Sequence, residues 1–326
     1  MAHIEERGKN SYRLIVPLGF DTEGKRIRKT KTVKCKNKTE AEKELAKFVV
    51  EIETGEYIAP QKMTFSTFVE EWKEKYARKH NIPKTLENYM SYLEQRIIPT
   101  FGHIRVDQIN TFQILNFLES LSKNGVRSDG KEGGLSSATI QFYHRILKNI
   151  FSRCVEWKVI KENPVANVKK PKAEFKKAHV FTEEQVHQLM EHLSNEDIKW
   201  RMIVTLAITT GMRKGEILGL EWKHIDLEKG KIYVQQALSH TKEDGYIFKE
   251  PKTKNSNRTI SLSNSVVQQI KKYKAYKLRE RLRMGIESDV QFLLFSSPEG
   301  NPMYPSSITT WWRKRLKIWF TSYYLS

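Results

Sequence analysis

The sequence predicts a mainly α protein that also contains small β-sheets. Two observations support this fold class. Apolar residues recur at helical spacing over most of the chain. Short alternating runs bounded by turn residues occur only near the N-terminus and after residue 230. The length of 326 residues also exceeds one ordinary domain, so we expect two or three domains.

The N-terminal residues 1–58 predict a small sheet backed by one helix. Ser11–Phe20 alternates as a strand, the residues at 21–24 form a turn, and 26–33 continues as a second strand. Thr39 and Glu42 have the spacing of a capping box before a helix that Gly55 would end. The apolar positions of this helix are Ala41, Leu45, Phe48, Val49 and Ile52.

The second predicted strand and its exit are unusually basic. A solvated edge strand carries one or two lysines to prevent aggregation. Eight basic residues in so short a stretch favour contact with phosphates instead, because a sheet presenting basic side chains can lie in a DNA groove. The eight are Lys25, Arg26, Arg28, Lys29, Lys31, Lys34, Lys36 and Lys38. Of these, we select as DNA-binding candidates Arg26, Arg28, Lys29, Lys31 and Lys34.

Residues 63–165 predict a bundle of about four helices after a linker that contains Pro60. The first helix carries an i, i+3, i+4, i+7 stripe, and three more helical patterns cover 86–97, 111–121 and 136–157. The stripe consists of Phe65, Phe68, Val69, Trp72 and Tyr76. Glycines and charges at 123–134 indicate a loop.

A basic linker follows the bundle. Its lysines, Lys169, Lys170 and Lys172, either track a DNA backbone or belong to a solvated tether.

Residues 176–326 predict a third, mixed domain. Thr182 and Gln185 form a capping box for an amphipathic helix, and the helix at 198–210 is apolar on most sides and ends at Gly211. Short β-rich runs are expected at 232–238 and 246–262, with a hairpin turn at Asp244 and Gly245. A helix at 266–283, a short buried strand at 292–295 and a helix from Ser306 complete the domain.

The charge balance predicts a polyanionic partner. The chain carries 57 basic and 38 acidic residues, a formal net charge of +19, on a composition that is 39% hydrophobic and can build cores. Nucleic acid is favoured over an anionic membrane, because the longest apolar stretch, 203–208, is far shorter than a spanning helix. The first ten residues show no signal-peptide core, so we expect a cytoplasmic protein.

The remaining motifs exclude several kinds of site. Cys35 and Cys154 lack CxxC spacing and are expected to be buried thiols. The histidines show no HExxH or paired-carboxylate spacing, and no GxxxxGK[ST] loop is present. We therefore expect no metal site and no cofactor.

The most informative stretch is TTGMRKGEILGLEW, at 209–222. Gly211 ends one helix and Arg213 begins the next, where backbone N–H groups and the helix dipole favour an anion. A guanidinium at that position can hold two phosphate oxygens. Taken alone, such an arginine is more often a cap or a surface charge. The residues by themselves give a phosphate-site candidate.

This stretch resembles the first arginine box of the tyrosine recombinase, or phage integrase, family. Arg213 and Glu216 match the family's arginine and the acidic residue three positions later, which frame the scissile phosphate. The segment EPKTKNSNRTISL resembles the hairpin that bears the family's catalytic lysine, with Lys252 as the best match and Lys254 as the alternate. The resemblance implies an arm-type DNA-binding module of a three-stranded sheet plus a helix (1–58), a helical core-binding, SAM-like domain (63–165) and a catalytic domain (176–326).

The resemblance also implies an activity. In this family a tyrosine hydroxyl attacks a DNA phosphodiester to give a 3′-phosphotyrosyl link, without metal or nucleotide cofactor. Fixed arginines balance the charge that develops on the phosphoryl oxygens, and the lysine protonates the leaving oxygen. The implied partner is double-stranded DNA at attachment sites, with a homo-oligomer on that DNA. The implied function is integration and excision of a prophage or mobile element.

The sequence departs from the family pattern after the lysine segment. There is no His-x-x-Arg, and no histidine follows His240. Tyr323 and Tyr324 come where the missing box should begin, so we do not assign them as nucleophiles. We therefore expect a C-terminally truncated, catalytically defective chain. The alternatives are a DNA-binding module without cleavage activity and a basic structural DNA protein with no defined site.

Overall fold

The computed structural model describes residues 1–54, 63–172, 180–249, 257–286 and 293–319. The protein is mainly helical with small antiparallel sheets, which confirms the predicted fold class. Two compact units can be distinguished. The first unit comprises Met1–His80 and Tyr89–Glu174, and the second comprises Asn81–Asn88 and Phe175–Ser326. The three-domain division at 58–63 and 165–176 stays a prediction.

The first unit begins with a three-stranded antiparallel sheet backed by a helix. Its elements are β1 (His3–Gly8), β2 (Ser11–Phe20), β3 (Arg26–Lys34) and α1 (Lys38–Glu53). The strand order is β1-β2-β3. Leu14 and Val16 of β2 pack against Phe48 of α1, because alternate residues of the strand point to the helix.

The N-cap of α1 differs from the prediction. Asn37, not Thr39, accepts the hydrogen bond from the Glu40 backbone N–H, at 2.9 Å. The Glu40 carboxylate in turn accepts from the Lys36 N–H, at 2.7 Å. Asparagine caps helices as well as threonine does, and an acidic residue also follows Asn37 at the third position. The predicted stop at Gly55 lies outside the described residues.

The rest of the first unit is helical, and each predicted helix of the bundle is present. Its helices are α2 (Phe65–Trp72), α3 (Arg78–His80), α4 (Pro83–Tyr92), α5 (Ile98–Phe101), α6 (Thr111–Ser120) and α7 (Ser137–Glu156). Residues 83–88 of α4 are grouped with the second unit. The π-helical turns Lys73–Ala77 and Leu93–Ile97 join α2 to α3 and α4 to α5. The apolar stripe of α2 is fully buried at Phe65, Phe68, Val69 and Trp72.

The second unit encloses a core between helices and two small sheets. Its helices are α8 (Glu183–Ser194), α9 (Ile198–Thr210), α10 (Lys214–Leu218), α11 (Asn264–Arg283) and α12 (Pro305–Trp319). Its strands are β4 (Ile225–Asp226), β5 (Lys231–Val234), β6 (Ala237–Thr241), β7 (Gly245–Lys249) and β8 (Arg258–Ser261). The core includes Leu206 of α9, Ile232 of β5 and Ile270 of α11.

The β-rich runs predicted in this unit do contain strands, but the strands are divided between two sheets, and the short strand predicted at 292–295 was wrong. The run at 232–238 is not one strand, because β5 pairs with β4 and β8 whereas β6 pairs with β7 in a separate sheet. In the described part of 246–262, residues up to 249 belong to β7 and residues 258–261 form β8, and these two strands lie in separate sheets. At 293–295 the chain forms an isolated bridge between Leu293 and Glu221 rather than a strand. The hairpin turn before Gly245 is confirmed.

Two further findings concern the whole described chain. Both cysteines are free and buried, as predicted. Within the described ranges, no helix combines the length and apolar character needed to cross a membrane.

Candidate functional site

Arg213 is placed by a tight turn between α9 and α10. Gly211 ends α9 in the left-handed conformation, with φ of 62°, which glycine adopts without steric cost. Met212 is buried beneath the turn. Arg213 is the N-cap residue of α10, and its side chain is 76% exposed. The predicted position of this guanidinium at a helix start is thus confirmed.

Two glycines let α10 lie directly against the backbone of β6. A Cβ atom at Gly215 would come within 2.9 Å of the Leu238 carbonyl oxygen, and one at Gly219 within 2.8 Å of the Leu238 nitrogen. Real Cβ atoms do not approach backbone so closely. The glycines of the motif therefore serve packing, and they fix the helix that carries Arg213.

Glu216 anchors both the backbone and the side chain of Arg213 by hydrogen bonds. Its carboxylate accepts from the Arg213 backbone N–H (2.8 Å) and from Arg213 Nη1 (2.9 Å). The same carboxylate accepts from Arg258 Nη1 (3.3 Å) and Nη2 (2.7 Å). The Glu216 side chain is only 5% exposed, whereas that of Arg258 is 31% exposed. One buried carboxylate therefore pairs with two guanidinium groups, and the three side chains together carry a net charge of about +1.

The pKa of Glu216 reflects this arrangement. Burial raises the pKa, but hydrogen bonds from Arg258 and Arg213 outweigh burial and lower it to about 2. The carboxylate is therefore ionised at neutral pH, and its oxygens are occupied by the two arginines. Glu216 orients Arg213, and this arrangement favours a positioning role over direct contact with a phosphate.

The lysine of the predicted site lies outside the described residues. Lys252 and Lys254 both fall within 250–256, as Tyr323 and Tyr324 fall within 320–326. The prediction that a lysine joins Arg213 at one phosphate therefore remains a prediction. Arg258, at the start of β8, was missed by the sequence analysis although it lies in the quoted lysine segment. The sequence pointed to Arg258 only indirectly, because a glutamate that becomes buried, such as Glu216, needs positively charged partners.

The basic side chains of strand β3 lie on both faces of its sheet. Arg26, Arg28 and Lys34 are exposed, whereas Lys29 and Lys31 are half-buried on the alternate positions. Lys31 Nζ lies 3.7 Å from the Glu51 carboxylate and 5.7 Å from the centre of the Phe48 ring, so it faces α1. Arg26, Arg28 and Lys34 therefore present their charges to solvent.

Two other basic features bear on the predicted interface. Arg13 of β2 pairs in register with Thr32 of β3, and strand alternation places it on the same face as Arg28 and Lys34. Arg13 is not among the predicted candidates, because it lies on β2, outside the cluster of basic residues at 25–38. The linker lysines Lys169, Lys170 and Lys172 are exposed.

The fold matches that of solved integrases. The Tn1549 transposon integrase in complex with transposon right end DNA is 21% identical, with a TM-score of 0.62 over 81% of each chain. A lambda integrase dimer bound to a COC′ core site is 17% identical, with a TM-score of 0.56 over 97% of this chain and 80% of that one. These likenesses show that the chain has the fold of these integrases.

The sequence comparisons give the family. Residues 179–318 match the phage integrase family, and residues 64–122 match the N-terminal SAM-like domain of phage integrases. A tyrosine recombinase XerC-like protein of Caldanaerobacter subterraneus subsp. tengcongensis is 28% identical over 95% of this chain and 81% of its own. The ICEBs1 integrase of Bacillus subtilis is 26% identical over 83% of this chain and 70% of its own. The chain belongs to the phage integrase family of tyrosine recombinases, and this membership supports a site-specific recombinase function.

Proposed function

We propose that this protein binds double-stranded DNA at attachment sites and takes part in integration or excision of a prophage or mobile element. The observation that carries the proposal is the exposed guanidinium of Arg213, held at the start of α10 by the buried Glu216. An anchored, exposed arginine in a cluster of net positive charge is suited to a phosphate, since charge-assisted hydrogen bonds to phosphate are strong and can be bidentate. This DNA partner would place the protein in the cytoplasm.

The proposed site combines Arg213 with the lysine that resemblance assigns to Lys252 or Lys254. Arg213 would hold a non-bridging phosphoryl oxygen, and the lysine would protonate the leaving oxygen. Glu216 would keep the arginine oriented without touching the phosphate. The relatives also support assembly on DNA, because lambda integrase has been solved as a dimer on a core site and as a tetramer on a Holliday junction. We propose a homo-oligomer on DNA here as well.

Arg213→Ala is expected to weaken binding to a specific duplex about ten-fold, or about 1.4 kcal/mol. The probe is the duplex that the chain itself enriches from a randomised pool, and affinity is measured by fluorescence anisotropy. Arg279→Ala is the matched control, because Arg279 is exposed on α11 and its removal changes the net charge equally. Equal losses of DNA affinity in the two variants would mean that Arg213 contributes only as a general surface charge.

A second candidate function is DNA binding without cleavage. A nicked duplex carrying the enriched site separates the two candidates. A protein–DNA adduct that survives denaturation would reject the binding-only function for this polypeptide.

The exposed face of β3 makes a separate prediction. Replacing Arg28 and Lys34 together with glutamine is expected to weaken DNA binding and to flatten its salt dependence by about 0.9 for each phosphate that is no longer neutralised. Lys31→Gln should leave the salt slope unchanged, because Lys31 is paired with Glu51 on the opposite face. Binding is titrated at several salt concentrations. An unchanged slope in the Arg28 and Lys34 variant would identify β3 as a solvated edge strand.

A further inference from the structure

Arg258 shares the carboxylate that holds Arg213. Its two terminal nitrogens bond the two carboxylate oxygens of Glu216, at 3.3 Å to Oε1 and 2.7 Å to Oε2. Arg213 Nη1 donates to the same Oε1, at 2.9 Å. The two guanidinium groups thus lie on one acceptor, although they come from elements far apart in the sequence. Arg258 begins β8 and pairs in register with Val234 of β5.

We propose that Arg258 is a positioning residue for Arg213, acting through Glu216. This inference rests on the proposed function, in which Arg213 holds a DNA phosphate. Arg258 fixes the glutamate against the β4-β5-β8 sheet, and the glutamate then fixes the arginine at the helix start. The phosphate-binding guanidinium is thereby joined to two elements of the fold, α10 and β8, rather than to its own short helix alone.

The geometry explains why Arg213 needs this support. An exposed arginine that pairs with a carboxylate loses side-chain entropy, and isolated surface pairs therefore contribute little. The pair of Arg213 with Glu216 differs from such surface pairs, because the Glu216 side chain is only 5% exposed and both of its oxygens accept hydrogen bonds from Arg258. The position of Glu216 is therefore fixed before Arg213 binds it. A carboxylate held on one side only could rotate, and Arg213 would rotate with it.

The geometry also explains why residue 258 is an arginine. A guanidinium presents two parallel N–H groups to the two oxygens of a carboxylate, whereas an ammonium presents a single nitrogen. Arg258→Lys therefore keeps the charge and removes the two-point contact. Its half-buried position, at 31% exposure, sets it apart from Arg213, which is directed to solvent at 76%.

The test is a double-mutant cycle on DNA affinity, measured on the full chain with the self-enriched duplex. Arg258→Lys is expected to weaken binding about ten-fold in the otherwise unchanged chain and less than about two-fold in the Arg213→Ala background. Such non-additivity arises only if Arg258 acts through Arg213. A purely structural role would change the thermal transition without this dependence on Arg213, so melting curves are recorded for all four proteins. Arg279→Lys is the matched control and should leave affinity unchanged.

Three results would overturn the inference. An equal loss in both backgrounds would mean that Arg258 acts independently of Arg213. If Arg258→Lys lowers DNA affinity in neither background while Arg213→Ala still weakens binding, the proposed function stands and only the role of Arg258 is rejected. An unchanged affinity for Arg213→Ala would instead reject the proposed site together with the inference. Arg258→Gln, which keeps donors on the side chain, replaces the lysine variant if that variant fails to fold.

Discussion

Glu216→Gln is expected to lower the free energy of unfolding of the second unit by about 3 kcal/mol at pH 7. The substitution removes a buried carboxylate that accepts from the Arg213 backbone and from two guanidinium groups. An amide offers one acceptor oxygen and turns its NH₂ group toward an arginine. The half-buried Arg258 then loses the negative charge of Glu216, and this loss is more costly than loss of an exposed ion pair.

The pH dependence of stability provides a second measure of the same interaction. The folded-state pKa of Glu216 is about 2, below the value of 4.5 for an unperturbed glutamate. Its contribution is therefore complete above pH 4.5 and is lost as the pH falls toward 2. The glutamine variant has no such titration at this position. Urea unfolding at pH 7 and at pH 3 should show the two proteins approaching each other in stability on acidification.

Glu191→Gln is the control for this experiment. Glu191 lies on α8 of the same unit, with its side chain 69% exposed, and its replacement should change stability by no more than about 0.5 kcal/mol. A Glu216→Gln protein as stable as the control at pH 7 would contradict the role given to the two arginines. A constant difference between wild type and variant down to pH 3 would contradict the lowered pKa.

The helices of this protein could be predicted because their signals are local. The stripe from Phe65 to Trp72, the capping box of Thr182 and Gln185, and the stop at Gly211 each lie within one element, and all are confirmed. The cap of α1 was placed two residues late because Asn37 and Thr39 both have an acidic residue at the third following position. The sequence does not distinguish such neighbouring candidates.

The strands were harder to predict because their partners are distant in the sequence. The alternating run at 232–238 gives no sign that β5 and β6 belong to different sheets. The candidate site shows the same contrast. Arg213 and Glu216 were found because they share one turn of helix, whereas Arg258 reaches Glu216 only after the chain has passed through several strands. A pairing of this kind follows from tertiary packing and has no local pattern.

Trp72→Ala is expected to lower the free energy of unfolding of the first unit by about 3 to 5 kcal/mol, since a fully buried large side chain is replaced by a methyl group. Trp72 is stacked on Tyr89 of α4, with ring centres 6.2 Å apart and planes at 10°. Its Nε1 donates to Asn149 Oδ1 of α7 at 3.3 Å. One side chain of α2 thus contacts two other helices, so its removal leaves a cavity and an acceptor without its donor.

Urea unfolding followed by tryptophan fluorescence and circular dichroism measures this destabilisation. Phe112→Ala is the matched control, because Phe112 is 70% exposed on α6 of the same unit and should change stability by no more than about 0.5 kcal/mol. If the two units unfold separately, Trp72→Ala lowers one transition and Glu216→Gln the other, because the two side chains lie in different cores. If both variants instead shift a single transition, the helical bundle and the arginine site unfold together. Destabilising the bundle would then also lower the fraction of folded chains in which Arg213 is correctly placed. A Trp72→Ala protein as stable as the Phe112→Ala control would show that the bundle does not depend on this side chain.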